Sequence, residues 1–141
     1  MKVPIVVVDD EEVDRYIVNR VVKQSGIDSK VVEFQAGDEF LEVITDERRR
    51  AEEIGVAPPP ILVLLDINMP RMTGFEVLES IRNSLGADED CPDYMVVLMF
   101  SSSNHAEDKK EAYSYGFVKD YIVKPLTEAD VKNMVERYYR V

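Results

Sequence analysis

Five short runs rich in Val, Ile and Leu punctuate the chain, at residues 3–8, 30–34, 61–65, 94–100 and 120–123. Their lengths suit strands, and the runs at Ile61 and Tyr94 are continuously apolar, as in a parallel sheet buried on both faces. The run at Lys30 is the weakest of the five. Between the runs the apolar period lengthens to that of a helix. Val13, Ile17 and Val21 recur every four residues, and Val131, Met134, Val135 and Tyr138 recur as i, i+3, i+4 and i+7. Similar patterns over residues 38–53, 74–85 and 106–115 complete five strand–helix units. Repeated βα units predict an α/β fold, a parallel sheet with right-handed crossovers and helices on both faces.

Two stretches interrupt that rhythm. DERRRAEEIGVAPPP, residues 46–60, carries charges of both signs and then three prolines. The charges predict an elongated second helix and the prolines a stiff surface loop. A partner-specific protrusion is the functional alternative, and a solvated helix end is the preferred reading. NSLGADEDCPD, residues 83–93, reads as a loop with Gly86 as the helix stop.

The 141 residues suit one domain. With 28 acidic and 17 basic residues the net charge is −11, which would repel a phosphate backbone and argues against nucleic-acid binding. The lone Cys91 has no partner in the chain for a disulfide or a metal pair, which suits a reducing cytoplasm. The apolar run from Ile5 ends in acids and is too short for a signal peptide or a membrane span.

In a doubly wound sheet, ligands sit beyond the carboxyl ends of the strands. Here the first strand ends in Asp9 and Asp10, the third in Asp66, the fourth in Ser101, Ser102 and Ser103, and the fifth in Lys124 followed by Pro125. Three acids so close repel one another, and a divalent cation resolves the conflict. Mg²⁺ fits, since it takes oxygen ligands, few carboxylates and exchangeable waters. A carboxylate beside Mg²⁺ and a lysine can attack phosphorus, and Asp66 is the best candidate nucleophile. Taken singly, each residue has a plainer reading. Asp66 could start a turn, and Lys124 could be an exposed lysine before a proline turn. Glu11, Glu12 and Asp14 are read as acids favoured in a first helical turn. Only the joint arrangement, acids ending two strands, hydroxyls a third and a lysine a fourth, needs a functional explanation.

The pieces VVVDDEEVDR, LLDINMPRMTGFEVL, LMFSSSN and DYIVKPL resemble the receiver domain of bacterial response regulators, and the likeness runs from Ile5 to Tyr139. That resemblance implies a flavodoxin-like, or CheY-like, five-stranded sheet of order 2-1-3-4-5. It implies Asp66 as phosphoacceptor and Asp10 and Asp66 as direct Mg²⁺ ligands. Asp9 would orient metal-bound water, and the backbone carbonyl of Asn68 would be a further ligand. Lys124 would pair with the phosphate, and Ser101 and Tyr121 would be the switch pair. Lys124-Pro125 should be a cis peptide. Counting forward from Ser101 to Gly116 fits the family, whereas counting back from Lys124 selects Ser102. GFVKDYIVKP holds one extra residue after Gly116, so an irregularity is expected before the fifth strand. The 46–60 insertion resembles a subgroup paired with phytochrome-like or other sensor kinases.

The resulting expectation is one receiver domain over residues 1–141 with no output domain. It takes a phosphoryl group from a sensor histidine kinase or phosphotransfer protein and signals to a downstream protein. The changing surface would be the helix from Ala106, the fifth strand and the last helix. It is expected to be a cytoplasmic signalling protein and not an enzyme with an external substrate, with no nucleic-acid or membrane partner. Whether it forms a homodimer through the last helix stays open. A phosphohydrolase would need an acid where Asn68 stands, and DDEEVD would repel a flavin phosphate. A receiver-like fold without the chemistry is the remaining alternative. His105 is read as an exposed surface residue.

Overall fold

The structure, a computed structural model, describes residues 2–56, 59–85 and 94–139. Its elements in chain order are β1 (Val3–Val8), α1 (Glu12–Gln24), β2 (Ser29–Phe34), α2 (Gly37–Ile44), α3 (Glu47–Glu53), β3 (Ile61–Leu65), α4 (Gly74–Leu85), β4 (Met95–Ser101), α5 (Ala106–Tyr113), β5 (Val118–Val123) and α6 (Glu128–Tyr138). All strand pairs are parallel and the order is β2-β1-β3-β4-β5, as expected. Every residue of β1 and β3 is buried. Their continuous apolar runs therefore report a sheet covered on both sides.

Alternate strand residues feed two cores, because successive side chains point to opposite faces. Val6, Val8, Val63 and Leu65 pack with Phe40 and Ile44 of α2, Leu78 and Ile81 of α4, and Ala112 of α5. On the other face Ile5, Val7, Leu62 and Leu64 pack with Val18 and Val22 of α1 and Val131 and Met134 of α6. Each fully buried large aliphatic side chain contributes about 1.5–3 kcal/mol. Those two layers fix the carboxyl ends of β1, β3, β4 and β5 relative to one another.

Three local expectations need correction. The buried face of α1 is Arg15, Val18 and Val22, while Val13 is 66% exposed and Ile17 and Val21 are only half-buried. The four-residue spacing was right for a helix, but the stripe is set by a neighbouring row in which a charged Arg15 disguises the core side. The elongated second helix is two helices. Thr45 closes α2, and Asp46 takes an extended backbone and accepts a hydrogen bond from Arg49 N, which starts α3 afresh. In β5 the irregularity lies within the strand. The register passes from Val97↔Val118 to Leu98↔Asp120, so Lys119 is the extra residue, a bulge inside β5 rather than in the loop before it.

Lys124-Pro125 is cis and His105 is exposed, both as expected. Cys91, Gly86 and most of the 83–93 loop lie outside the described residues. Among the described residues, no helix is long and apolar enough to cross a membrane.

Candidate functional site

The end of β1 turns sharply into α1. Asp9 N donates to Phe34 O of β2, and Asp9 Oδ1 accepts from Glu11 N at 3.0 Å, a side-chain turn that leads the chain into the helix. From α1, the buried Arg15 reaches back to donate to Asp9 O at 2.7 Å and pairs with Glu33 of β2 at 3.0 Å. Arg15 thereby braces the Asp9–Asp10 turn against β2. Sequence reasoning missed this residue, and an arginine in register with Val18 and Val22 is the signal that could have found it.

Asp66 follows β3 directly and is 4% exposed. Its N–H donates to Val8 O at 3.0 Å, tying it to β1. The loop beyond it is held by Gly74, whose N–H donates to Ile67 O at 2.8 Å. A Cβ at Gly74 would lie 2.2 Å from Asp66 O, so only glycine lets α4 start this close to the Asp66 backbone. Thr73 and Glu76 then form a reciprocal capping box at the start of α4. Within the same loop the exposed Arg71 has φ 68 and pairs with Asp38 in the first turn of α2.

Carboxylate oxygens of Asp9, Asp10 and Asp66 lie within 4.8 Å of one another. Asp9 is fully buried, and Asp9 Oδ2 and Asp10 Oδ1 have no hydrogen-bond partner. An unpartnered buried carboxylate oxygen such as Asp10 Oδ1 is costly, and three acids at this spacing fit a divalent cation with oxygen ligands. Asn68, exposed two residues past Asp66, lies in the loop beside them.

Lys124 supplies the positive charge within the site. Its Nζ lies 2.6 Å from Asp9 Oδ2, 2.9 Å from Asp14 Oδ2 and 3.4 Å from Asp66 Oδ1, with the Phe100 ring centroid 5.2 Å away. The Asp9 contact is an ion pair without the alignment of a hydrogen bond, whereas Asp14 accepts a true one. Burial works against charge on Lys124, but the contacts to Asp9 and Asp14 outweigh it and raise its pKa. Asp66 is pushed up to about 7, chiefly by burial and then by the Asp9 charge, with Lys124 pulling the other way. Asp14 belongs to the first turn of α1, as read from the sequence, and also reaches into the site, which that reading missed.

Ser101 ends β4 fully buried, whereas Ser102 is exposed. Ser101 O accepts from Lys124 N at 2.9 Å, and Ser101 Oγ accepts from Ser103 N at 3.1 Å. Ser103 is a junction. Its carbonyl accepts from the Tyr121 hydroxyl at 2.8 Å, and its own hydroxyl donates to Asp108 of α5 at 2.5 Å. The buried Tyr121 is thus connected through one residue to Ser101 and to the start of α5. A groove of about 710 Å³ between α1 and β2, lined by Tyr16, Arg20 and Lys23 among others, lies elsewhere and includes none of these site residues.

The sequence model of the response regulator receiver domain matches residues 5–136. A probable methanogenesis regulatory protein, FilR2, of Methanothrix harundinacea is 28% identical over 132 residues, covering 94% of this chain and 78% of its own. The two-component response regulator ORR5 of rice (Oryza sativa) is 26% identical over 137 residues, covering 96% of this chain and 88% of its own. Among solved structures, the bacteriophytochrome response regulator RtBRR is 25% identical with a TM-score of 0.73, covering 100% of this chain and 80% of that one. The curated relatives include archaeal and plant proteins, so the likeness is not confined to bacterial receivers.

Proposed function

The chain belongs to the response regulator receiver domain family, and from that premise we propose that it is a receiver in which Asp66 accepts a phosphoryl group from a histidine kinase or phosphotransfer protein. The observation that carries this reading is the meeting of Asp9, Asp10 and Asp66 with Lys124 Nζ at the carboxyl edge of the sheet. Asp10 and Asp66, with the Asn68 carbonyl, would hold Mg²⁺, and Asp9 would orient its water. When bound, Mg²⁺ supplies positive charge that offsets the crowded carboxylates and the incoming phosphoryl oxygens.

In the transfer step an Asp66 carboxylate oxygen bonds to phosphorus as the donor's phosphorus–nitrogen bond breaks, its electron pair leaving on the imidazole. Little other covalent chemistry is required of the protein, so positioning and charge supply the rate. Lys124 pairs with a phosphoryl oxygen. Ser101 leaves Ser103 N and turns its hydroxyl toward the phosphoryl group, and Tyr121 repacks through the shared Ser103 junction. That rearrangement alters the surface of α5, β5 and α6, the proposed signal to a downstream protein. Burial of Ser101 beside Lys124 favours it over the exposed Ser102 as the switch hydroxyl. Asn68 offers no acid to drive hydrolysis, so Asp66 acts as an acceptor and not as the nucleophile of a phosphohydrolase. The bacteriophytochrome regulator's likeness supports a light-sensing or related sensor kinase as donor.

Incubation with Mg²⁺ and acetyl phosphate, read by intact mass, tests the proposal. An acid-labile phosphate adduct is expected on the native protein and not on Asp66→Asn. Equal adduct on both proteins, or none on either, contradicts it.

A further inference from the structure

Lys124 is shared among three carboxylates, and its nearest are not the proposed acceptor. Asp9 Oδ2 is at 2.6 Å and Asp14 Oδ2 at 2.9 Å, with Asp66 Oδ1 third at 3.4 Å. Asp9 and Asp66 belong to the acidic group that would hold a cation, and Asp14 does not. In a cation-loaded site the charges of Asp9 and Asp66 are therefore shared, while Asp14 keeps its whole attraction for the ammonium. Asp14 is also anchored well for the task. It sits in the first turn of α1, whose course is fixed by Val18 and Val22 in the core, and its neighbour Arg15 is buried against Asp9 O. The Asp14 side chain is 29% exposed and that of Lys124 only 10%, so the contact is partly shielded from solvent.

Resting on the proposed phosphoacceptor role, we infer that Asp14 is a positioning residue that holds Lys124 back from the phosphoryl site, so that an incoming phosphoryl group must compete with it for the ammonium. Two effects act in the same direction. Lys124 can approach a phosphoryl oxygen fully only by loosening its hydrogen bond to Asp14, and the Asp14 charge repels the phosphoryl dianion. Asp14 thus lowers the readiness of the site to load, and a variant that keeps its shape without its charge should load more easily. A residue needed only for folding would do the opposite when changed.

Beryllofluoride, a phosphoryl mimic, reads this directly when titrated at saturating Mg²⁺ and followed by amide chemical shifts. Asp14→Asn is expected to bind it roughly three- to fivefold more tightly than the native protein, the upper part of the range of a part-exposed charge contact. Glu12→Gln removes the same charge from the same helical turn at an exposed position with no contact to Lys124. It should stay within about twofold of native, as expected for a screened surface charge. Unchanged or weaker binding by Asp14→Asn overturns the inference, as does an equal gain in Glu12→Gln. A native protein that fails to bind beryllofluoride overturns the proposed function itself, and the inference with it.

Discussion

Burial and the Asp9 charge raise Asp66 from its ordinary 3.8 to about 7, and that shift has a definite sign in stability. Between those values the folded protein binds more protons at Asp66 than the unfolded chain does, so stability falls as pH rises across the window. Below about 4 the penalty is absent, and above about 7 it is complete. Urea unfolding without metal should therefore show Asp66→Asn gaining on the native protein between pH 5 and pH 8. Mg²⁺ should stabilise the native protein more at pH 8 than at pH 5, because the folded state then holds ionised Asp66. A difference between the two proteins that stays constant with pH would contradict the assignment of the strain to Asp66. Asp9, Asp10, Asp66, Ser101 and Lys124 were all legible from the sequence because they stand immediately after apolar runs. Asp14 and Arg15 were not. An acid in a first helical turn already has a local reason to be there, and only the folded chain brings residue 14 to residue 124.

The elements show where a period suffices and where it does not. β1, β3 and α4 have the limits their apolar patterns predict, because uninterrupted burial leaves a clear mark. The face of α1 was misread by one row, since the helix places Arg15 where its apolar stem packs and its charge finds Asp9 O and Glu33. The break between α2 and α3 was hidden because Thr45 and Asp46 sit inside a continuous helix-forming stretch, and Asp46 works as a cap only because its own backbone is extended while that of Thr45 before it is still helical. Replacing Asp46 by Ala should destabilise α3 by about 1 kcal/mol, the usual value of a lost N-cap. Hydrogen exchange over residues 47–53 should quicken while β1 and β3 stay protected. Equal loss of protection throughout the protein would mean that α3 is not an independent piece. The bulge at Lys119 reconciles the two serine counts. The forward count from Ser101 is continuous, and the backward count from Lys124 crosses the extra residue.

At the scale of the whole molecule, a −11 chain gathers Asp9, Asp10 and Asp66 at the carboxyl edge of the sheet, and Lys124 is a cation set among those acids. The sheet order explains why. β1 and β3 are neighbours, so the acids that end them meet, and β4 and β5 bring Ser101 and Lys124 to the same edge. The same two-layer core that makes the sheet rigid carries α5 and α6 beside β5, where Tyr121 and Ser103 join the site to the surface. Among the acids gathered there, Asp66 is the one proposed to form the bond to phosphorus. Borohydride reduction of the acetyl phosphate-treated protein, followed by peptide mass mapping, tests this most directly, because it converts an aspartyl phosphate to homoserine. Homoserine is expected at position 66 alone; homoserine at Asp9 or Asp10, or at no aspartate, would contradict a phosphoryl bond at Asp66.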